Sequence, residues 1–138
     1  MPVNESSSPT SAARAPETPI DPDVIDSLRG LGQRSGRNVL AELTSLFLTT
    51  ADGQVNAARA LLARGDVGEL ARVAHSLKGS GSVIGARRIA AAAAALEVVC
   101  TDGDATPGAL SRARDGFTRV LAELELFRSA VGELDTST

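Results

Sequence analysis

Two residues of this 138-residue chain are each the only one of their kind. His75 is the sole histidine, and Lys78, three positions later, is the sole lysine. An imidazole has an ordinary pKa near about 6.5, so at neutral pH much of it is uncharged and nucleophilic. It can take up a phosphoryl group and release it again. That chemistry asks for in-line positioning and for positive charge beside the equatorial oxygens. Lys78 lies about one helical turn from His75 and can supply one such charge; Arg72, a turn to the other side, can add a second, more diffuse one. The remaining basic residues are all arginine, which makes a lysine at this spot conspicuous.

The element that must hold these side chains is the stretch Asp66 to Gly85, which reads as one amphipathic helix. On a wheel of about 100° per residue, Leu70, Val73, Leu77 and Ile84 fall within roughly 80° of one another. His75 lies opposite the middle of that stripe, flanked by Gly68, Ala71, Arg72, Lys78, Gly79 and Ser82. A core that takes the stripe turns the imidazole toward water on a low, basic surface. Asp66 is placed to N-cap this helix, with Glu69 completing a capping-box-like pair, and Gly85 is a natural residue for its end. Gly79 and Gly81 each lower helix propensity by about 1 kcal/mol relative to alanine. Gly79, one turn past His75, leaves the approach to the ring open, and Gly81 admits a neighbouring helix at close range. The run 79–85 superficially suggests a phosphate-binding loop, but its spacing is wrong and a helix, not a strand, precedes it.

The rest of the chain fits a single all-α domain. Its three Phe, with neither Trp nor Tyr, leave a core of Leu, Val, Ile and many alanines, which suits closely packed helices. A formal net charge of -3 and the lack of aromatics argue against nucleic acid as a partner. One cysteine, Cys100, can form no internal disulfide and sits in line with inward residues. One His and one Cys show no metal-ligand spacing, so no metal site is expected. Residues 1–19 hold four prolines and few large aliphatics, which predicts a disordered tail with no signal-peptide core. No run approaches the ~20 apolar residues of a membrane span, and a cytoplasmic protein is expected.

Five helices are expected between the tails. The first starts at Asp21-Pro22, with Ile20 stapling onto Ile25, and ends near Leu31 among glycines. The second runs from about Arg37 to Arg64 with Leu40, Leu43, Phe47, Ala58 and Leu61 inward, and Asp52-Gly53 marks a possible break. The His75 helix follows. A fourth spans about Ala86 to Cys100 with Ile89, Ala93, Leu96 and Cys100 in line, and a turn-rich loop then covers Thr101 to Ala105. Thr106-Pro107 opens a fifth helix that reaches about Val131, with Leu110, Phe117, Leu121 and Leu124 inward; residues 132–138 read as a frayed end. Short connections between long helices imply an antiparallel up-down four-helix bundle over residues 20–131, led by the short first helix. Glu97, beside Leu96, is expected to pair with an arginine or a backbone group.

The run Ala74-His75-Ser76-Leu77-Lys78-Gly79-Ser80, followed by Gly85-Ala86, resembles the signature of the histidine-containing phosphotransfer (HPt) domains of bacterial phosphorelays. The resemblance extends over roughly residues 20–130. It implies that His75 is the phosphoacceptor, that Lys78 helps hold the phosphoryl group, and that Gly79 leaves room for a partner. Ala71, Arg72 and Ser82 fall on the surface that would meet that partner. The implied partners are response-regulator receiver domains or a hybrid histidine kinase, and the Mg²⁺ and the aspartyl phosphate belong to the receiver. The chain would hold no cofactor of its own and act as a carrier rather than a kinase, since no nucleotide-binding segment is visible. A monomer is expected. Gly81 stands where the family usually has a small residue with a Cβ. The alternative is a helical docking or dimerisation module that uses the same surface without chemistry.

Overall fold

A computed structural model describes residues 18–103 and 107–137. All regular structure among them is helical: α1 (Pro22–Ser35), α2 (Val39–Arg64), α3 (Val67–Ile84), α4 (Arg87–Gly103) and α5 (Pro107–Ser137). The predicted disorder of residues 1–19 lies almost wholly outside the described residues, as does the cap expected at Thr106.

Local sequence sets the boundaries. The Asp21 side chain accepts the Asp23 N–H at 2.9 Å, and Pro22 follows where a missing N–H costs nothing. Asn38 caps α2 through Ala41 N at 3.0 Å, which is why that helix begins at Val39 and not at Arg37. Asp66 caps α3 through Glu69 N at 3.1 Å, as the spacing predicts. Helices α1, α2 and α3 each end on a left-handed glycine: Gly36, Gly65 and Gly85. The Gly36 N–H closes on Gly32 O at 2.8 Å, so α1 runs through its internal glycines and stops four residues past Leu31. No break occurs at Asp52-Gly53. Helix α4 extends through Thr101, part of the expected loop, where the hydroxyl bonds back to Glu97 O at 2.9 Å. Helix α5 likewise continues past Val131 to Ser137.

Packing follows the chain: α1 on α2, α2 on α3, α3 on α4 and α4 on α5, with α2 also meeting α5. The predicted stripe of α3 is inside, with Leu70, Leu77 and Ile84 buried and Val73 half-buried. Helix α4 buries Ile89, Ala93, Leu96 and Cys100, also as the pattern predicts. Helix α2 departs from it. Leu43 is 38% exposed and Thr44 takes the inward place at 2%, its hydroxyl satisfied by Leu40 O at 2.8 Å. On α5, Leu110 and Leu121 are half-buried while Ala113, Phe117, Val120, Leu124 and Phe127 form the inner face. Phe127 meets Phe47 edge-to-face with ring centroids 5.1 Å apart.

Small residues let α3 and α4 come close. A Cβ on Gly81 would sit 3.4 Å from both Ala86 O and Ala90 N, which confirms the expected close approach of a neighbour. The turn between them is tied to α1: Asp21 N donates to Gly85 O at 2.7 Å, and the Asp21 carboxylate meets Arg87 at 2.6 Å. Arg87 holds the Asp21 carboxyl below the usual carboxylate range, against a smaller opposing effect of burial.

Candidate functional site

Helix α3 presents His75 outward with 67% of its side chain exposed. The core holds the opposite side of the helix in place, where Leu70, Val73 and Leu77 lie against Leu96 of α4 and Phe117 and Val120 of α5. Burial of that stripe therefore fixes the direction of the imidazole. A second tie comes from α2, where Gln54 Nε2 donates to Ser76 Oγ at 2.7 Å next to the histidine.

The ring is held by a residue from another helix. Glu97 of α4 places Oε2 2.8 Å from His75 Nδ1 and Oε1 3.1 Å from Lys78 Nζ. One carboxylate thus bridges the chain's only histidine and only lysine. The Lys78 hydrogen bond is the largest influence holding the Glu97 carboxyl below its usual range; burial opposes it, and the His75 contact adds to it. An ionised carboxylate only accepts, so the hydrogen in the His75–Glu97 bond belongs to Nδ1. In the neutral ring that leaves Nε2 with its lone pair directed away from Glu97. The arrangement offers a solvent-facing nitrogen nucleophile in a fixed tautomer, with an ammonium one turn away.

The other predicted residues divide. At Gly79 an added Cβ would meet nothing within 4 Å, so the space beside the ring is open as expected. Ser82 is exposed, its hydroxyl turned back to Lys78 O at 2.9 Å. Arg72 is 81% exposed and reaches back to Glu69 at 3.5 Å, away from the histidine. Ala71 is a correction: it is 8% exposed and part of the core, out of a partner's reach. Glu97 approaches from the Lys78 side of α3, and Ala71 lies on that same side of the wheel, so α4 covers it. Glu97 is the second correction, since its partners are His75 and Lys78, not an arginine. The available signal was that Glu97 is the only carboxylate between Arg87 and Thr101, on a helix otherwise rich in alanine. Among the described residues, no three His, Cys, Asp or Glu side chains converge as a metal ion would require. None of the described helices is long and apolar enough to cross a membrane.

An Hpt domain family model matches residues 42–130, which span α2 through most of α5 and include His75, Lys78 and Glu97. The chain belongs to the Hpt family. Among solved structures, it is similar to a histidine-containing phosphotransfer protein from rice, at 22% identity and a TM-score of 0.55. The alignment covers 86% of this chain and 89% of the rice one, and at that identity it speaks for the shared fold. No curated protein matches the chain. The Hpt assignment agrees with the resemblance carried by residues 74–80.

Proposed function

We propose that this Hpt domain is a phosphorelay carrier in which His75 Nε2 accepts a phosphoryl group from a receiver-domain aspartate and passes it to another receiver. The observation that carries this reading is the outward imidazole whose Nδ1 proton is fixed by Glu97. Nε2 attacks the phosphorus of the aspartyl phosphate, the P–O bond to the carboxylate breaks, and the proton on Nδ1 stays where it is. Lys78 offsets the charge of the phosphoryl oxygens. Gly79 admits the partner, and Ser82 and Arg72 border the surface it covers. Mg²⁺ and the aspartate are supplied by the receiver, of a response regulator or a hybrid histidine kinase, so the chain needs no cofactor and no nucleotide.

The serial packing of α2, α3, α4 and α5 supports an antiparallel up-down four-helix arrangement with α1 as an added lead helix. We take the domain to act as a cytoplasmic monomer. The test is His75→Gln presented with a ³²P-charged receiver. The expected result is complete loss of acid-labile, base-stable label, with helicity and receiver binding intact. Label retained on the variant, or signalling unchanged by it, would support a docking module that does no chemistry.

A further inference from the structure

A groove between the C-terminal half of α1 and the start of α2 encloses about 340 Å³, at the small end of the range for ligand pockets. Gly32 helps to form it by letting the chain after α1 fold back on that helix, since a Cβ there would sit 2.6 Å from Arg37 O. Leu28, Val39 and Leu40 give the groove an apolar lining, and Arg29, Gln33 and Asn38 add polar groups around it. It is remote from the histidine. From Leu40 to Gln54, the residue that touches Ser76 beside His75, α2 rises roughly 21 Å at about 1.5 Å per residue.

Arg29 is the residue that the packing of α1 on α2 leaves unsatisfied. Its Nε is shielded from water and has no hydrogen-bond partner. Among the described residues no carboxylate forms an ion pair with Arg29: Asp26, one turn earlier on α1, does not, and Glu42 is bound to Arg37. A half-buried guanidinium without an acceptor is costly, because the donor has lost its water and gained nothing in return. A second donor stands at the α2 edge of the groove. There Val39 N–H goes to Arg37 O, Ala41 N–H to the Asn38 side chain and Glu42 N–H to Asn38 O. That leaves Leu40 N–H without an acceptor among the described residues, at the start of a 26-residue helix whose dipole favours negative charge.

We propose that this groove binds a small organic acid, with its carboxylate on Arg29 and its aliphatic chain against Leu28, Val39 and Leu40. A guanidinium matches a carboxylate through two parallel N–H···O bonds, and a turn of the Arg29 side chain toward the groove gives Nε its acceptor. Asn38 Oδ1 is already taken by Ala41 N–H, so the NH₂ of that amide is the end left to meet an anion. The apolar lining selects among anions. Inorganic phosphate uses the charge and leaves the leucines wet, and an acidic side chain of a docking protein brings only one or two CH₂ groups. An acid with a chain of about five carbons uses both halves of the groove, at about fourfold in affinity per buried CH₂. Nothing in this assignment depends on His75 being the phosphoacceptor.

The test is a titration of ¹⁵N-labelled full-length protein with hexanoate, hexanamide, propionate and inorganic phosphate, read from the backbone amides. Hexanoate should give saturable shifts centred on residues 28–40, with the other three compounds at least tenfold weaker. Arg29→Gln should weaken hexanoate binding by about ten- to a hundred-fold, the range of a hydrogen bond to a charged group, with helicity unchanged. Gln33→Glu, at an exposed position, should weaken it similarly by setting a second carboxylate in the groove, and it serves as the probe should Arg29→Gln fail to fold. His75→Gln should bind hexanoate as wild type does. Hexanamide binding as tightly as hexanoate would reduce the groove to an apolar surface, and propionate or phosphate binding as tightly would reduce it to a bare charge. Either result overturns the proposal, as does an absence of saturable shifts or a hexanoate affinity unmoved by the variants.

Discussion

Lys78 and Glu97 divide the work around His75, one facing the incoming charge and the other the ring proton. In the unphosphorylated domain Lys78 is bound to Glu97, so it must leave that partner to reach a phosphoryl oxygen. Lys78→Ala should therefore slow transfer from a charged receiver by roughly ten- to a hundred-fold, the range of a hydrogen bond to a charged group. His75 should stay the acceptor, and stopped-time ³²P transfer reads both. The same contacts give a sign for stability. Glu97 and Asp21 both have folded-state carboxyls held below their ordinary values, 4.5 and 3.8, so their stabilisation is fully present above those values. It is lost as pH falls through the lower folded values. The melting temperature should accordingly drop below about pH 4.5, less steeply in the double variant Glu97→Gln, Asp21→Asn. His75 and Lys78 were legible in the sequence because each is unique and both oppose an apolar stripe. Glu97 was not, since it lies 22 positions from His75 on a different helix, and helical periodicity relates only residues within one element. Ala71 was misplaced for the same reason: a wheel gives direction but not the width of the neighbour that covers it.

At the scale of the elements, α3 has to be both a rigid mount and an accessible one. Gly79 serves access alone, because a Cβ there meets nothing. Gly79→Ala should raise stability by up to about 1 kcal/mol through helix propensity, and Gly79→Phe should leave folding intact while slowing exchange with receivers. Gly85 behaves oppositely. Its φ of +80 and the 2.9 Å from an added Cβ to Val24 of α1 make Gly85→Ala strained on both counts, at about 1–3 kcal/mol in urea denaturation. Caps and left-handed glycines made the starts of these helices readable to within two residues. The ends of α1 and α4 ran beyond expectation because residues of types that usually mark loops lie inside the helix, Gly30 and Gly32 in α1 and Thr101 in α4, where its hydroxyl bonds to Glu97 O. The register of α2 was only partly readable. Thr44 can turn inward by bonding its hydroxyl to the preceding turn, and no hydropathy pattern anticipates that.

The whole molecule orders the site by stacking each helix on the next. The Phe47–Phe127 contact joins α2 to α5 and holds together the two ends of that series. Phe127 is fully buried, so Phe127→Ala should cost about 3–5 kcal/mol in chemical denaturation. His75 chemistry should persist in whatever fraction remains folded. Composition already pointed to an all-helical domain, since a chain with so few aromatics and so many alanines can close a core only with helices at short range. The most direct measurement of the central claim is a ¹H–¹⁵N correlation spectrum of the imidazole after incubation with a phosphorylated, Mg²⁺-loaded receiver. Phosphorus coupling is expected at Nε2 of His75, with Nδ1 still protonated and bonded. Phosphorylation at Nδ1, or on any residue other than His75, would contradict it.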